Sequence, residues 1–126
     1  MKPTLVLSPL AVLTLTGLSL AQAPPSRLVE MEIVDTPKQG AQHTTHFAVA
    51  VLEDRGWSSS NTSDTQNNVH VSARIDHSIL DVEVQRRGPG EFDIHGVRAI
   101  TGAVPRTLMG RVERDGGVSE VYVTIR

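Results

Sequence analysis

The chain of 126 residues has no cysteine, four aromatic residues and only two lysines. Without cysteine there are no disulfides, no thiol nucleophile and no thiolate metal site. A bacterial lipoprotein anchor is excluded as well, because it needs a cysteine at the cleavage site. Small animal domains that are secreted usually depend on disulfides, so their absence points to a bacterial protein. So does the use of arginine, ten residues, over lysine, two. With so few aromatics the chain lacks the stacking platforms a glycosidase needs. Charge of one sign is missing too: 14 acidic residues face 12 basic ones. Such a balance excludes nucleic acid and an anionic membrane as partners.

The one long apolar run lies at the start. Met1 to Ala23 reads MKPTLVLSPLAVLTLTGLSLAQA. Lys2 precedes an apolar core and Ala21-Gln22-Ala23 supplies a small-x-small cleavage site, the pattern of an export signal. As a membrane anchor the run is short, and Pro9 and Gly17 interrupt it. The expected layout is therefore a signal peptide over residues 1–23 and a single all-β domain over residues 24–126. Cleavage removes Lys2 and leaves eleven basic residues against fourteen acidic, a net charge of −3. The mature chain is expected in the periplasm or secreted, with no membrane-spanning segment. Asn61-Thr62-Ser63 matches a glycosylation acceptor, which in a bacterial chain is chance.

No helical stripe follows. Alternation dominates, with valine the commonest apolar residue. Val29, Met31 and Ile33 share one phase. Phe47, Val49 and Val51 share another, and Ala48, Ala50 and Leu52 opposite them predict a strand covered on both faces. Ser58 to Asn68 has no apolar side chain and reads as a loop or an exposed edge strand. Val69 to Arg87 reads as a hairpin. A two-residue turn at His77-Ser78 sets Val71 against Val84, Ala73 against Val82 and Ile75 against Leu80, and it also sets Arg74 against Asp81. The turn pair is not the favoured Asn-Gly, so a longer loop stays open. Phe92 to Thr101 is a further strand with Gly96 as a candidate bulge. Around Asp115-Gly116 the last hairpin puts Leu108 opposite Val123, Gly110 opposite Val121 and Arg111 opposite Glu120. The fold class is all-β: an antiparallel β-sandwich or strongly curved sheet of seven or eight strands.

Four histidines are the candidate metal ligands. His43 and His46 are three apart, which on a strand sends the rings to opposite faces. His70 and His95 fall on polar phases and could converge across strands. Asp81 and Glu83 lie about 7 Å apart on one strand face, but Arg74 opposite Asp81 makes a surface ion pair the expected reading. No Gly-x-Ser-x-Gly elbow surrounds Ser58 to Ser60, and Arg87-Gly88-Pro89-Gly90 lacks the lysine and helix of a phosphate loop. Trp57 either plugs one end of the core or anchors a partner. In so small a core packing favours the plug.

The ordered segments His46–Val51, Val69–Ile75, Leu80–Val84, Leu108–Val112 and Val121–Ile125 resemble small exported bacterial β-proteins with a strand order similar to part of the outer-membrane secretin core domain. The resemblance implies a fold. The sequence shows neither the long membrane-spanning hairpins nor the ring-forming domains of a secretin, so it implies no pore and no functional residue. The function expected is non-catalytic, with no cofactor: a module binding a protein or an envelope component through a sheet edge. The alternative is a small metal- or ligand-binding protein that uses its histidines.

Overall fold

The computed structural model describes residues 26–63 and 67–126; the export-signal reading of residues 1–23 lies outside them. Eight strands form: β1 Ser26–Pro37, β2 His43–Leu52, β3 Ser58–Ser63, β4 Asn68–Asp76, β5 Ile79–Arg87, β6 Phe92–Ala99, β7 Val104–Arg114 and β8 Gly117–Ile125. They make two four-stranded antiparallel sheets, ordered β2-β1-β8-β7 and β3-β4-β5-β6. The all-β sandwich expected from alternation is what forms.

Going around the molecule, each strand neighbours the next in sequence. Short connections between antiparallel strands favour this arrangement, since a hairpin needs few residues. The ring is hydrogen-bonded except at two seams, β2/β3 and β6/β7, where the sheets meet edge to edge. The architecture is an up-and-down barrel flattened into a sandwich.

Period-2 patterning builds the core. Val29, Met31 and Ile33 of β1 meet Val49 and Val51 of β2 and Val121, Val123 and Ile125 of β8. From the other sheet come Val71, Ala73 and Ile75 of β4 and Leu80, Val82 and Val84 of β5, all fully buried. Fully burying each valine, leucine or isoleucine contributes roughly 1.5–3 kcal/mol before the entropy of ordering it. The β4–β5 register matches the sequence reading throughout, including Arg74 opposite Asp81, and Ser72 falls opposite Glu83. Its turn has two residues, with φ of 51° at His77 and 63° at Ser78. Those left-handed values match the twist of a tight hairpin despite the unfavoured residues.

Three local expectations are corrected. Ala48, Ala50 and Leu52 are exposed: β2 is covered on one face, because a two-layer sandwich has nothing to pack outside. Gly96 is not a bulge. It pairs in register with Val82, and a Cβ there would come within 2.8 Å of the Met109 carbonyl oxygen. Glycine is needed for the close approach of β6 to β7, and Gly110 serves the same seam, where a Cβ would collide with Ile94. The irregularities sit in β7 instead, one between Val104 and Thr107 and one at Met109. Gly110 faces Val121 and Arg111 faces Glu120 as expected, but the bulge shifts Leu108 onto Tyr122, and Thr107 takes Val123.

Candidate functional site

All strands but one run their inward phase in hydrocarbon for most of their length; the exception is β3, which has no apolar residue. At the end of the sandwich that carries the β1–β2, β5–β6 and β7–β8 turns, the same phase turns polar. Asp35 continues the series Val29, Met31, Ile33. Arg86 continues Leu80, Val82, Val84. Ser119 precedes Val121, Val123 and Ile125 on β8, and Arg114 follows Gly110 and Val112 on β7. Four strands from two sheets thus deliver a carboxylate, two guanidiniums and a hydroxyl to one place.

Their geometry is specific. Arg86 donates to Asp35 as a fork, Nη1 to Oδ2 at 2.8 Å and Nη2 to Oδ1 at 2.9 Å. Its Nε donates to the Gly90 carbonyl at 3.0 Å, and its plane lies 4.6 Å from the Phe92 ring centre. Ser119 Oγ donates to Asp35 Oδ1 at 2.5 Å and accepts from Arg86 Nη2 at 3.2 Å and Arg114 Nη2 at 2.6 Å. Arg114 also lies 5.9 Å from the Phe92 ring centre. The Arg86 side chain is 11% exposed and that of Asp35 24%. Burial works to raise the Asp35 pKa, but the hydrogen bonds from Arg86 and Ser119 and the charges of Arg86 and Arg114 outweigh it, so the carboxyl sits below its ordinary value.

Two cavities flank this cluster. One of about 410 Å³ is lined by Pro37, Ala41, His43, Gly90 and Arg114 among others. The second, about 230 Å³, opens toward the β2/β3 seam between His43, Thr45, Thr62 and Asn67. Asp35, His43 and Arg86 line both. A hollow of about 690 Å³ lies on the outer face of the β2-β1-β8-β7 sheet, but its charges are already matched, Arg106 with Glu32 and Arg126 with Glu30.

The four histidines picked from sequence do not meet. His43 reaches the cavities, while His46 lies on the outer face hollow. His70 uses both nitrogens: Nδ1 donates to Asn61 Oδ1 at 2.5 Å and Nε2 accepts from Ser72 Oγ at 2.9 Å. His95 Nε2 donates to Asp81 Oδ1 at 2.6 Å. Among the described residues the group spaced for a cation is a different one, the exposed Asp54, Asp76 and His77. Asp81 does pair with Arg74, at 2.8 Å, as the sequence reading expects, and it also accepts from His95.

Trp57 does not plug the core. It is 44% exposed, and Arg74 stacks over its ring at 4.7 Å. The plug fails because the chain leaves the buried layer at Leu52, and Trp57 enters β3, an edge strand without an apolar anchor. That strand, Ser58–Ser63, pairs with β4 alone. Sequence reading missed Asp35, Arg86, Arg114 and Ser119. The available signal was phase: each sits on the apolar phase of its strand.

No family model, no curated protein and no solved structure matches the chain. The likeness to the strand order of the secretin core therefore rests on pattern alone.

Proposed function

We propose that this chain is exported to the bacterial periplasm or released from the cell, and there works as a non-catalytic module that binds a protein or an envelope component. The observation that carries the reading is Trp57 at the head of β3. A half-exposed tryptophan held flat by Arg74 is pre-ordered, so contact with a partner costs little side-chain entropy. Beside it runs a six-residue edge strand of serine, threonine and asparagine with one side free of β-pairing. That side faces β2 across the unpaired seam, so an extended partner segment adds there through main-chain hydrogen bonds by opening the seam. Arg74 is itself steadied by Asp81, which extends the rigid platform one strand further. Export is supported by the leader pattern of residues 1–23.

Site-directed photocrosslinking in the producing cell tests this. A photoreactive residue at Ser59, next to Trp57 on the edge strand, is expected to give a discrete adduct in the envelope fraction. The same probe at Thr124, on the outer face of the β2-β1-β8-β7 sheet, is expected to give none. Adducts at both positions or at neither reject the edge as the binding surface.

A further inference from the structure

The cluster at the loop end carries one charge too many. Asp35 is the one carboxylate within 4 Å of either guanidinium among the described residues. It is spent on Arg86, to which it is bound bidentately, and it stands 3.9 Å from Arg114. Arg114 holds only the Ser119 hydroxyl, through Nη2. Its Nη1 is cut off from solvent and finds no acceptor among the described residues. The cluster as a whole keeps a net charge of +1, and with Nη1 enclosed it is the exposed part of the Arg114 side chain, 28% of it, that a ligand in the cavity can meet. The cavity of about 410 Å³ lies against this residue and is also lined by Pro37, Ala41 and Val118. Its size is at the lower end of small-molecule sites.

We propose that this cavity binds a small monocarboxylate with an apolar body, whose carboxylate pairs with Arg114 while the apolar part lies against Pro37, Ala41 and Val118. The charge count selects the class. A single negative charge neutralises the excess left by two arginines and one aspartate, whereas a phosphate dianion overshoots it. The planar fork of arginine suits a carboxylate. Main chain rather than side chain forms the wall at Gly90, Gly116 and Gly117, which leaves the room the ligand needs. The site is separate from the Trp57 edge, so either reading stands if the other fails.

Benzoate, its neutral isostere benzamide, and phosphate at matched ionic strength are the probes, read by thermal melting of the folded domain. Benzoate at ten times its Kd is expected to raise Tm by roughly 5–10 °C, the mass-action effect for a domain of this size. Benzamide and phosphate are expected to leave Tm at the chloride control. R114Q removes the charge and keeps a polar side chain. It should weaken benzoate on the order of tenfold or more, as expected for loss of a charged hydrogen-bonding partner. No benzoate shift, an equal shift with benzamide or phosphate, or an unchanged shift in R114Q overturns the proposal. Should R114Q not fold, the Nε–H resonance of Arg114 in the wild-type protein decides. It must move on titration while that of Arg111 stays, and an unmoved Arg114 signal overturns the site.

Discussion

Replacing Asp35 by asparagine isolates the charge at the centre of the loop-end cluster, since the two side chains have nearly the same shape. Asparagine keeps one carbonyl acceptor, so some of the three hydrogen bonds from Arg86 and Ser119 can survive. What cannot survive is neutralisation. Arg86, 11% exposed in its side chain, and Arg114, 28% exposed, are left facing each other's charge. Removing one partner of a buried pair costs about 3–5 kcal/mol, and the partial exposure of Asp35 places this case near the lower end, about 3 kcal/mol. Against a total stability of roughly 5–15 kcal/mol that is a large share. The melting point should fall by on the order of 10–20 °C for a domain of this size.

Urea unfolding at pH 7, followed by dichroism, measures the loss directly, and the slope with urea should be unchanged. Asp93→Asn is the control. Its partner Arg87 is 53% exposed, and the pair should be worth well under 1 kcal/mol. The pH dependence fixes the cause. Because the folded-state pKa of Asp35 is lowered, its contribution is fully present above the ordinary carboxylate value and is lost as pH falls through the depressed one. The stability gap between wild type and D35N should therefore be flat at neutral pH and close in acid. Asp81, lowered through Arg74 and His95 although burial opposes it, titrates in both proteins and cancels in the difference. A gap below about 0.5 kcal/mol at pH 7, or one that widens in acid, refutes the buried-cluster reasoning.

Val82→Asp should unfold the domain or cost several kcal/mol, because it buries a carboxylate without a partner, while neighbouring Glu83→Ala stays within about half a kcal/mol; urea melts compare them. Gly110→Ala should destabilise by about 1–3 kcal/mol by driving a methyl into Ile94 Cγ2, and Ile94→Ala, which removes that atom, should make the two losses less than additive in a double-mutant cycle. The substitutions His77→Asn with Ser78→Gly should raise stability by about 0.5–2 kcal/mol, since both positions have positive φ; Asp54 keeps its bond because it accepts from the main-chain N–H of residue 77. No gain in Tm there would mean that the turn conformation is set by Asp54 rather than by the turn residues.

How far the fold could be read from sequence follows from what alternation encodes. The β4–β5 hairpin was legible because two independent patterns, apolar pairs on one face and Arg74 with Asp81 on the other, agree on a single register. The β7–β8 hairpin was legible only up to Met109. A bulge changes phase without changing composition, so nothing in Leu108-Met109-Gly110 separates a regular strand from a bulged one. Gly96 shows the same limit from the other side. A glycine in a strand marks either a bulge or a close approach, and the choice depends on a neighbour, Met109, that is thirteen positions away and lies in the other sheet. Trp57 shows a third limit: average burial favours the core for tryptophan, but the chain has left the core by Leu52 and the ring stays 44% exposed.

The loop-end site was hidden for a different reason. A search for motifs looks for chemistry at short spacing, and this site takes one residue each from β1, β5, β7 and β8, with Asp35 and Ser119 separated by 84 positions. Its trace in the sequence is a break in phase. Val29-Met31-Ile33 runs into Asp35, and Leu80-Val82-Val84 runs into Arg86. A charged residue that continues an inward phase must either end the strand or meet a counter-charge. Neither strand ends there: β1 goes on to Pro37 and β5 to Arg87. Two opposite charges in that position, on strands from facing sheets, therefore predict one another. Arg114 is the third such residue and has no fourth to answer it, and that missing partner is the reason to look for a ligand at this end of the molecule.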